Sequence, residues 1–441
     1  MSVELQEGIY YRAIPPIGNS FCILSLGSDN VYHIREIGNT VGLIWKHLQR
    51  LKNGITVDLD IDKKHRKIGN LTVLIAYGSG LFSTLGSQKK RPSSFADNWN
   101  FKAPKAGGGG PILEGSGINY SKNSLGNHLL SDDILFQFIA DSEFYTNRAV
   151  VEVWKVLRRL EKNKIGAPLR ITGFYTGFQR ADRRSWLGFH DGVSNMKSHE
   201  RTHVISIDSR YLKPVDRWTL KGTYLAFMRI AFNIEKWEDT SITEQELLIG
   251  RDKITGCPVV GVDKKGKPIK DNRCPVPGTF EVIEPGNEHF RQQPPYWTMS
   301  QNKNKILQYS HISRTNPMER IPLWDKKSLR IYRQGFEFLL PSTDNTSITP
   351  GLNFVSFQNT PERLFRALTY EPTIVQKNLG TSVPNLDRYM SVLVAGVFFV
   401  PPKISTEPFP GAGIFFNNTD LMKFSRTVWK KSEAQIYGET I

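Results

Sequence analysis

Three short segments carry side chains that could do chemistry together. The first is Gly188-Phe189-His190-Asp191-Gly192-Val193-Ser194-Asn195, where an acid stands among glycine-capped bends. Such a bend can aim a carboxylate into a cavity, where it takes up and returns protons. An Asx-turn, with the acid capping its own backbone, uses the same composition. The second is Tyr309-Ser310-His311-Ile312-Ser313-Arg314-Thr315-Asn316-Pro317. No second ligand stands near His311, which speaks against a four-ligand zinc site. A single imidazole still suits a metal group that brings its own remaining ligands, and a structural histidine reads the same way. The third is Leu329-Arg330-Ile331-Tyr332-Arg333-Gln334-Gly335. Strand alternation puts Ile331 and Arg333 on one face. An arginine sharing a face with an apolar residue can point inward, whereas an edge strand leaves it in solvent.

Those side chains need elements to hold them. Leu71–Tyr77, Asp133–Ala140, Thr223–Phe232, Ser328–Leu340, Leu352–Gln358 and Val392–Val400 read as strands, rich in β-branched and aromatic residues. Thr40–Leu51 has helical apolar spacing, and Glu143–Leu160 carries a strong apolar stripe. Ser241-Ile242-Thr243-Glu244 has capping-box spacing ahead of a helix to Ile249. Pro361–Leu368 reads as a short helix with proline in its first turn. Residues 83–128 are loop-like, and Gly107–Gly110 lack the following helix and lysine of a phosphate cradle. The strand–helix rhythm returns after residue 200. It predicts two similar α+β halves, divided into residues 1–200 and 201–441.

The chain has 441 residues and a formal net charge of +16. That length exceeds what one core usually supports, so two units are expected. Lys and Arg are spread along the chain, and the clusters Lys63–Lys67 and Lys264–Lys270 are not interleaved with stacking aromatics. A specific nucleic-acid partner is therefore not expected. Val392–Val400, the most apolar run, is too short to cross a bilayer as a helix. The opening residues lack the basic and apolar regions of a signal peptide, and Lys430–Ile441 is a polar tail, so a cytoplasmic location is expected. Cys22, Cys257 and Cys274 are widely spaced and suggest no disulfide framework, so each is expected to be a small core residue.

Taken in order, the segments resemble the dye-decolorizing peroxidase family. Gly188-Phe189-His190-Asp191-Gly192 matches its GxxDG motif. Gly222–Leu225 through Arg229-Ile230, then Trp237, Glu244-Gln245-Glu246 and Ile249-Gly250-Arg251, follow its central segment. Ser310-His311-Ile312 with Arg314 and Asn316-Pro317 resembles its proximal-histidine motif. Arg330–Gly335 resembles its distal-arginine strand, and Gly351–Gln358 the strand lining the distal pocket. The likeness runs from about residue 70 to 400, and five motifs in order are far more specific than GxxDG alone. His190 and Ser313 stand where basic residues are common. Thr360 falls near a usual Asp, which leaves the group orienting His311 open.

The resemblance implies two ferredoxin-like domains, each an antiparallel sheet with packed helices, with b-type haem in the second. His311 would be the iron ligand, Leu352 and Phe354 would wall the distal side, and Arg314 would pair with a haem propionate. Asp191 would move a proton between the oxygens of hydrogen peroxide. Arg333 would stabilise the charge on the leaving oxygen. Gly335 would leave room for peroxide. The reductants would be bulky and organic, such as anthraquinone, azo or phenolic dyes, and anionic in view of the positive charge. A haem carrier or sensor of the same fold is the alternative, although it would need neither Asp191 nor Arg333.

Overall fold

The computed structural model describes residues 2–9, 20–28, 32–56, 70–84, 86–95, 128–129, 133–162, 168–180, 184–190, 198–209, 212–270, 304–308, 310–312, 328, 330–341, 347–364 and 386–424. Four strands belong to the first half: β1 (Ser20–Ser28), β2 (Thr72–Tyr77), β3 (Ile134–Ala140) and β4 (Leu169–Phe178). Helix α1 (Ile34–Leu51) follows β1, and α2 (Glu143–Lys162) follows β3. The second half contributes β5 (Thr223–Phe232), β6 (Tyr332–Pro341), β7 (Ile348–Gln358) and β8 (Met390–Val400).

The spatial order is β2-β3-β1-β4 in the first half and β6-β7-β5-β8 in the second. These are the same ferredoxin-like α+β arrangement, used twice. β4 meets β6 at Phe178 and Glu337, and β8 meets β2 at Phe399 and Tyr77. The eight strands thereby close into an antiparallel barrel, which leaves no long open edge.

Alternation then decides what lies inside. Phe21, Ile23, Leu74, Leu135, Phe227, Phe336, Val355, Phe357 and Phe398 form one buried cluster. On the other strand faces, Cys22, Leu24, Val73, Ile75, Phe136 and Phe138 pack with the apolar stripes of α1 and α2. Burial of each large side chain contributes roughly 1.5–3 kcal/mol. The barrel also holds a charge: Arg229 donates to Asn353 Oδ1 at 2.8 Å and lies 3.7 Å from the centre of the Phe338 ring. Burial lowers its guanidinium to about 10.

α1 begins at Ile34, earlier than its periodicity predicts. His33 caps it by accepting from Arg35 N, and the Glu36 carboxylate accepts from His33 N at 2.9 Å. His47 on its apolar stripe is 2.9 Å from Glu152 of α2, and Arg148 reaches the other carboxylate oxygen at 2.6 Å. Two of the eight barrel strands escape the sequence reading. β1 is buried on both faces, so it shows no alternation. β4 carries Gly173 and Gly177 and is half-exposed along most of its length.

The cysteines divide. Cys22 is free and buried, and burial pushes its thiol up to about 12. Cys257 is disulfide-bonded, which corrects the expectation of three isolated core residues. Spacing along the chain does not report Cα separation, and separation is what permits a bridge. Cys274 lies outside the described residues. Among the described residues, no helix is long and apolar enough to cross a membrane.

Candidate functional site

The ladders of β6, β7 and β5 build the floor of the site. Arg333 lies opposite Ser356, Gly335 opposite Phe354, and Glu337 opposite Leu352. Across the next ladder Leu352, Phe354 and Ser356 face Ile230, Met228 and Ala226. Directly paired residues share a sheet face. The intervening residues, including Phe336, Val355 and Phe227, fill the barrel. Arg333, Leu352 and Phe354 therefore stand together on the outer face, all half-buried.

The turn that leads to Asp191 is fastened to one end of this floor. The Glu337 carboxylate accepts from Trp186 N at 2.7 Å, and Trp186 Nε1 donates to Phe338 O at 3.0 Å. Leu352 packs against the cluster of Leu187, Phe189 and Trp237. Asp191 follows His190 in the chain and lies outside the described residues, as does Arg314.

Helix α3 (Ser198–Ile205) precedes β5. Helices α4 (Ile234–Glu238) and α5 (Ile242–Ile249) follow it, α5 with Ser241 as N-cap. Gly250 ends α5 with φ +86°, a left-handed conformation that suits glycine. A Cβ on Gly250 would lie 2.6 Å from both Ser310 Oγ and Ile312 Cγ1. The segment bearing His311 is thus seated directly on the end of α5. Ile312 is buried and His311 half-buried.

The next residue, Arg251, is buried and donates to Gly256 O at 2.8 Å. Burial, and after it the positive charge of Arg333, lowers the Arg251 guanidinium to about 10. The sequence reading took Arg251 only as part of a matching segment. Its closeness to Arg333 depends on the α5 turn and could not be read from spacing. Ser356 was equally hidden: it is fully buried, opposite Arg333, and its hydroxyl has no hydrogen-bond partner among the described residues. Two neighbouring guanidiniums suit an anionic ligand with more than one acid group. A buried hydroxyl without a partner suits a ligand or water beside it.

Residues 182–405 match the family model described as Dyp-type peroxidase, C-terminal. A curated protein named Deferrochelatase, from Shigella flexneri serotype 5b (strain 8401), is 26% identical over 293 residues, covering 65% of this chain and 59% of the relative. The chain thus spans about three-fifths of that relative's length. The solved DyP-type peroxidase from Cellulomonas bogoriensis superposes with a TM-score of 0.64 at 16% identity, over 94% of this chain and 97% of that one. A DypB variant from Rhodococcus jostii RHA1 in complex with heme gives 0.55 at 16% identity, over 90% and 95%. At such identities the structural likeness speaks for the fold.

Proposed function

Because this chain belongs to the Dyp-type peroxidase family, we propose that it is a haem peroxidase that reduces hydrogen peroxide and oxidises bulky organic compounds, dyes among them, in one-electron steps. The observation that carries the reading is the outer face of β6 and β7. There Arg333, whose positive charge reaches the buried Arg251, stands opposite a Ser356 hydroxyl with no hydrogen-bond partner among the described residues, and shares its face with half-buried Leu352 and Phe354. A haem carrier has no need of this concentration of polar groups on the floor.

The residues fit a haem. Two cations, Arg251 and the Arg333 whose charge reaches it, would suit a ligand with two carboxylates, and Arg314 would add a third. His311, on a segment held against Gly250, would be the axial ligand. When bound, the haem supplies the redox centre that takes peroxide to two waters and draws single electrons from the reductant. Asp191 carries a proton from one peroxide oxygen to the other. Arg333 stabilises the negative charge on the leaving oxygen, a role that a fixed cation in a water-poor site performs well. Leu352 and Phe354 keep the pocket narrow, so bulky reductants react from outside it.

The domain division proposed from sequence, at residue 200, lies between β4 and β5 but cuts through α3 (Ser198–Ile205). The Cys257 disulfide fits an oxidising compartment better than a reducing one.

The relative's name, deferrochelatase, gives a second reading. The visible spectrum of purified chain, before and after one equivalent of peroxide, separates the two: a peroxidase consumes peroxide and oxidises a dye with its haem retained. His311→Ala should lose most of the haem. A normal Soret band at full occupancy in that variant would remove the central assignment.

A further inference from the structure

Arg184 stands at the start of the turn that ends at His190. Its Nη1 donates to Gly188 O at 2.9 Å and to Lys253 O at 2.7 Å, and its Nη2 to Ile254 O at 2.8 Å. The first acceptor belongs to its own turn. The other two belong to the loop after α5, two and three residues beyond Arg251. The turn is closed by Ser185 N on Phe189 O at 2.9 Å and by a bridge between Arg184 and His190.

The two segments interlock beyond this. Gly188 has φ +86°, and a Cβ there would come within 2.5 Å of Lys253 Cε. Lys253 Nζ donates to Gln245 Oε1 of α5 at 2.6 Å and lies 5.8 Å from the Phe189 ring centre. One planar guanidinium therefore spans two backbone segments. One leads directly into Asp191, and the other presents Arg251 beside Arg333. A lysine could not do this, since it offers a point charge rather than a rigid fork of donors.

We propose that Arg184 is a positioning residue for the peroxide reaction, fixing the turn that delivers Asp191 against the loop that delivers Arg251. This rests on Asp191 as the proton carrier. Misplacement of a reacting group by about 1 Å can slow a reaction by roughly 10²-fold, so a brace at this junction bears on rate as well as on stability.

The test uses the haem-containing full chain with Arg184→Gln, Arg184→Lys, Asp191→Asn and the double variant Arg184→Gln/Asp191→Asn. Stopped flow reads the rate of the peroxide-driven change in the visible spectrum. Amide hydrogen exchange reads residues 184–190 and 251–257. Arg184→Gln should slow the peroxide reaction by roughly 10- to 100-fold, Arg184→Lys by less, and exchange should rise in both segments but not in β1 or β3. In the Asp191→Asn background the Arg184→Gln change should add little, because residues acting through one another are not additive. A wild-type rate in Arg184→Gln, an equal loss in both backgrounds, or unchanged exchange would overturn the proposal. If Arg184→Gln does not fold, Arg184→Lys carries the same comparison. A wild-type rate in Asp191→Asn removes the Asp191 assignment and this proposal with it. A slow Asp191→Asn beside a fast Arg184→Gln removes the proposal alone.

Discussion

Arg251, buried at the end of α5, feels the positive charge of Arg333 on β6. Burial first, and that charge second, bring the Arg251 guanidinium below its ordinary value, to about 10. The sign is informative. A base whose folded-state value lies below its unfolded one is a charge that folding disfavours. At neutral pH Arg251 is still charged in both states, so the folded chain bears that penalty in full. It fades only as pH climbs above about 10. An anion bound beside both guanidiniums relieves it at any lower pH.

Arg251→Gln should therefore act on ligand binding. Charged hydrogen bonds contribute about 1.5–3 kcal/mol, so haem affinity should fall roughly 10- to 100-fold. The rise in Tm on adding haem should shrink accordingly. Haem titration and thermal unfolding with and without haem measure both. An unchanged haem-dependent Tm shift in this variant would show that Arg251 does not face the ligand.

Gly250→Ala tests the seat of His311. The methyl would press on Ser310 and Ile312 from a backbone at φ +86°. A non-glycine residue in that conformation costs about 1–3 kcal/mol. We expect a lower urea midpoint together with reduced haem occupancy. Gly266→Ala is the control, since it has φ +79° with no atom within 4 Å of a built Cβ. It should lose stability without losing haem. Equal haem occupancy in the two variants would show that the Gly250 contact does not place His311.

The sequence was most legible where period and burial agree. Ile331 and Arg333 could be set on one strand face because their segment alternates, and both are half-buried beside buried Tyr332 and Gln334. Leu352 and Phe354 came instead from the family resemblance. α2 was visible from its single apolar stripe. β1 was not visible, because a strand buried on both faces has no period to detect. Ser356 and Arg251 were missed for a different reason. A serine in an apolar strand and an arginine after a helix are unremarkable until the β6–β7 register and the Gly250 turn bring both beside Arg333.

Charge should matter to the reductant. The net charge of +16 should favour anionic dyes over matched cationic ones, most clearly at low salt. Screening shortens the reach of surface charge to about 10 Å at 0.1 M. kcat/KM for a matched dye pair should converge as ionic strength rises. A flat response for both dyes would show that net charge does not steer them.

The division of labour between Arg333 and Asp191 is open to a sharper test. Loss of a group that stabilises developing charge costs roughly 10²–10³ in rate. Loss of a proton carrier costs about 10²–10⁴, part of which a water can restore. The ranges overlap, so magnitude does not rank the two residues; dependence on pH does. Arg333→Leu removes a positive charge rather than a proton carrier, so it should slow the peroxide reaction by a similar factor at every pH. An ordinary aspartate titrates near about 4. The wild-type rate should therefore follow an acidic group, and Asp191→Asn should lose that dependence while keeping the shape of the side chain. Stopped-flow spectra from about pH 3 to about pH 8, a range that brackets the titration of an ordinary aspartate, provide the profile. If both variants react at the wild-type rate, neither residue serves the peroxide step and the outer face of β6 and β7 binds haem for another purpose. If Asp191→Asn is slow but keeps the wild-type pH profile, the titrating group is elsewhere, and Asp191 acts as a fixed hydrogen-bond partner.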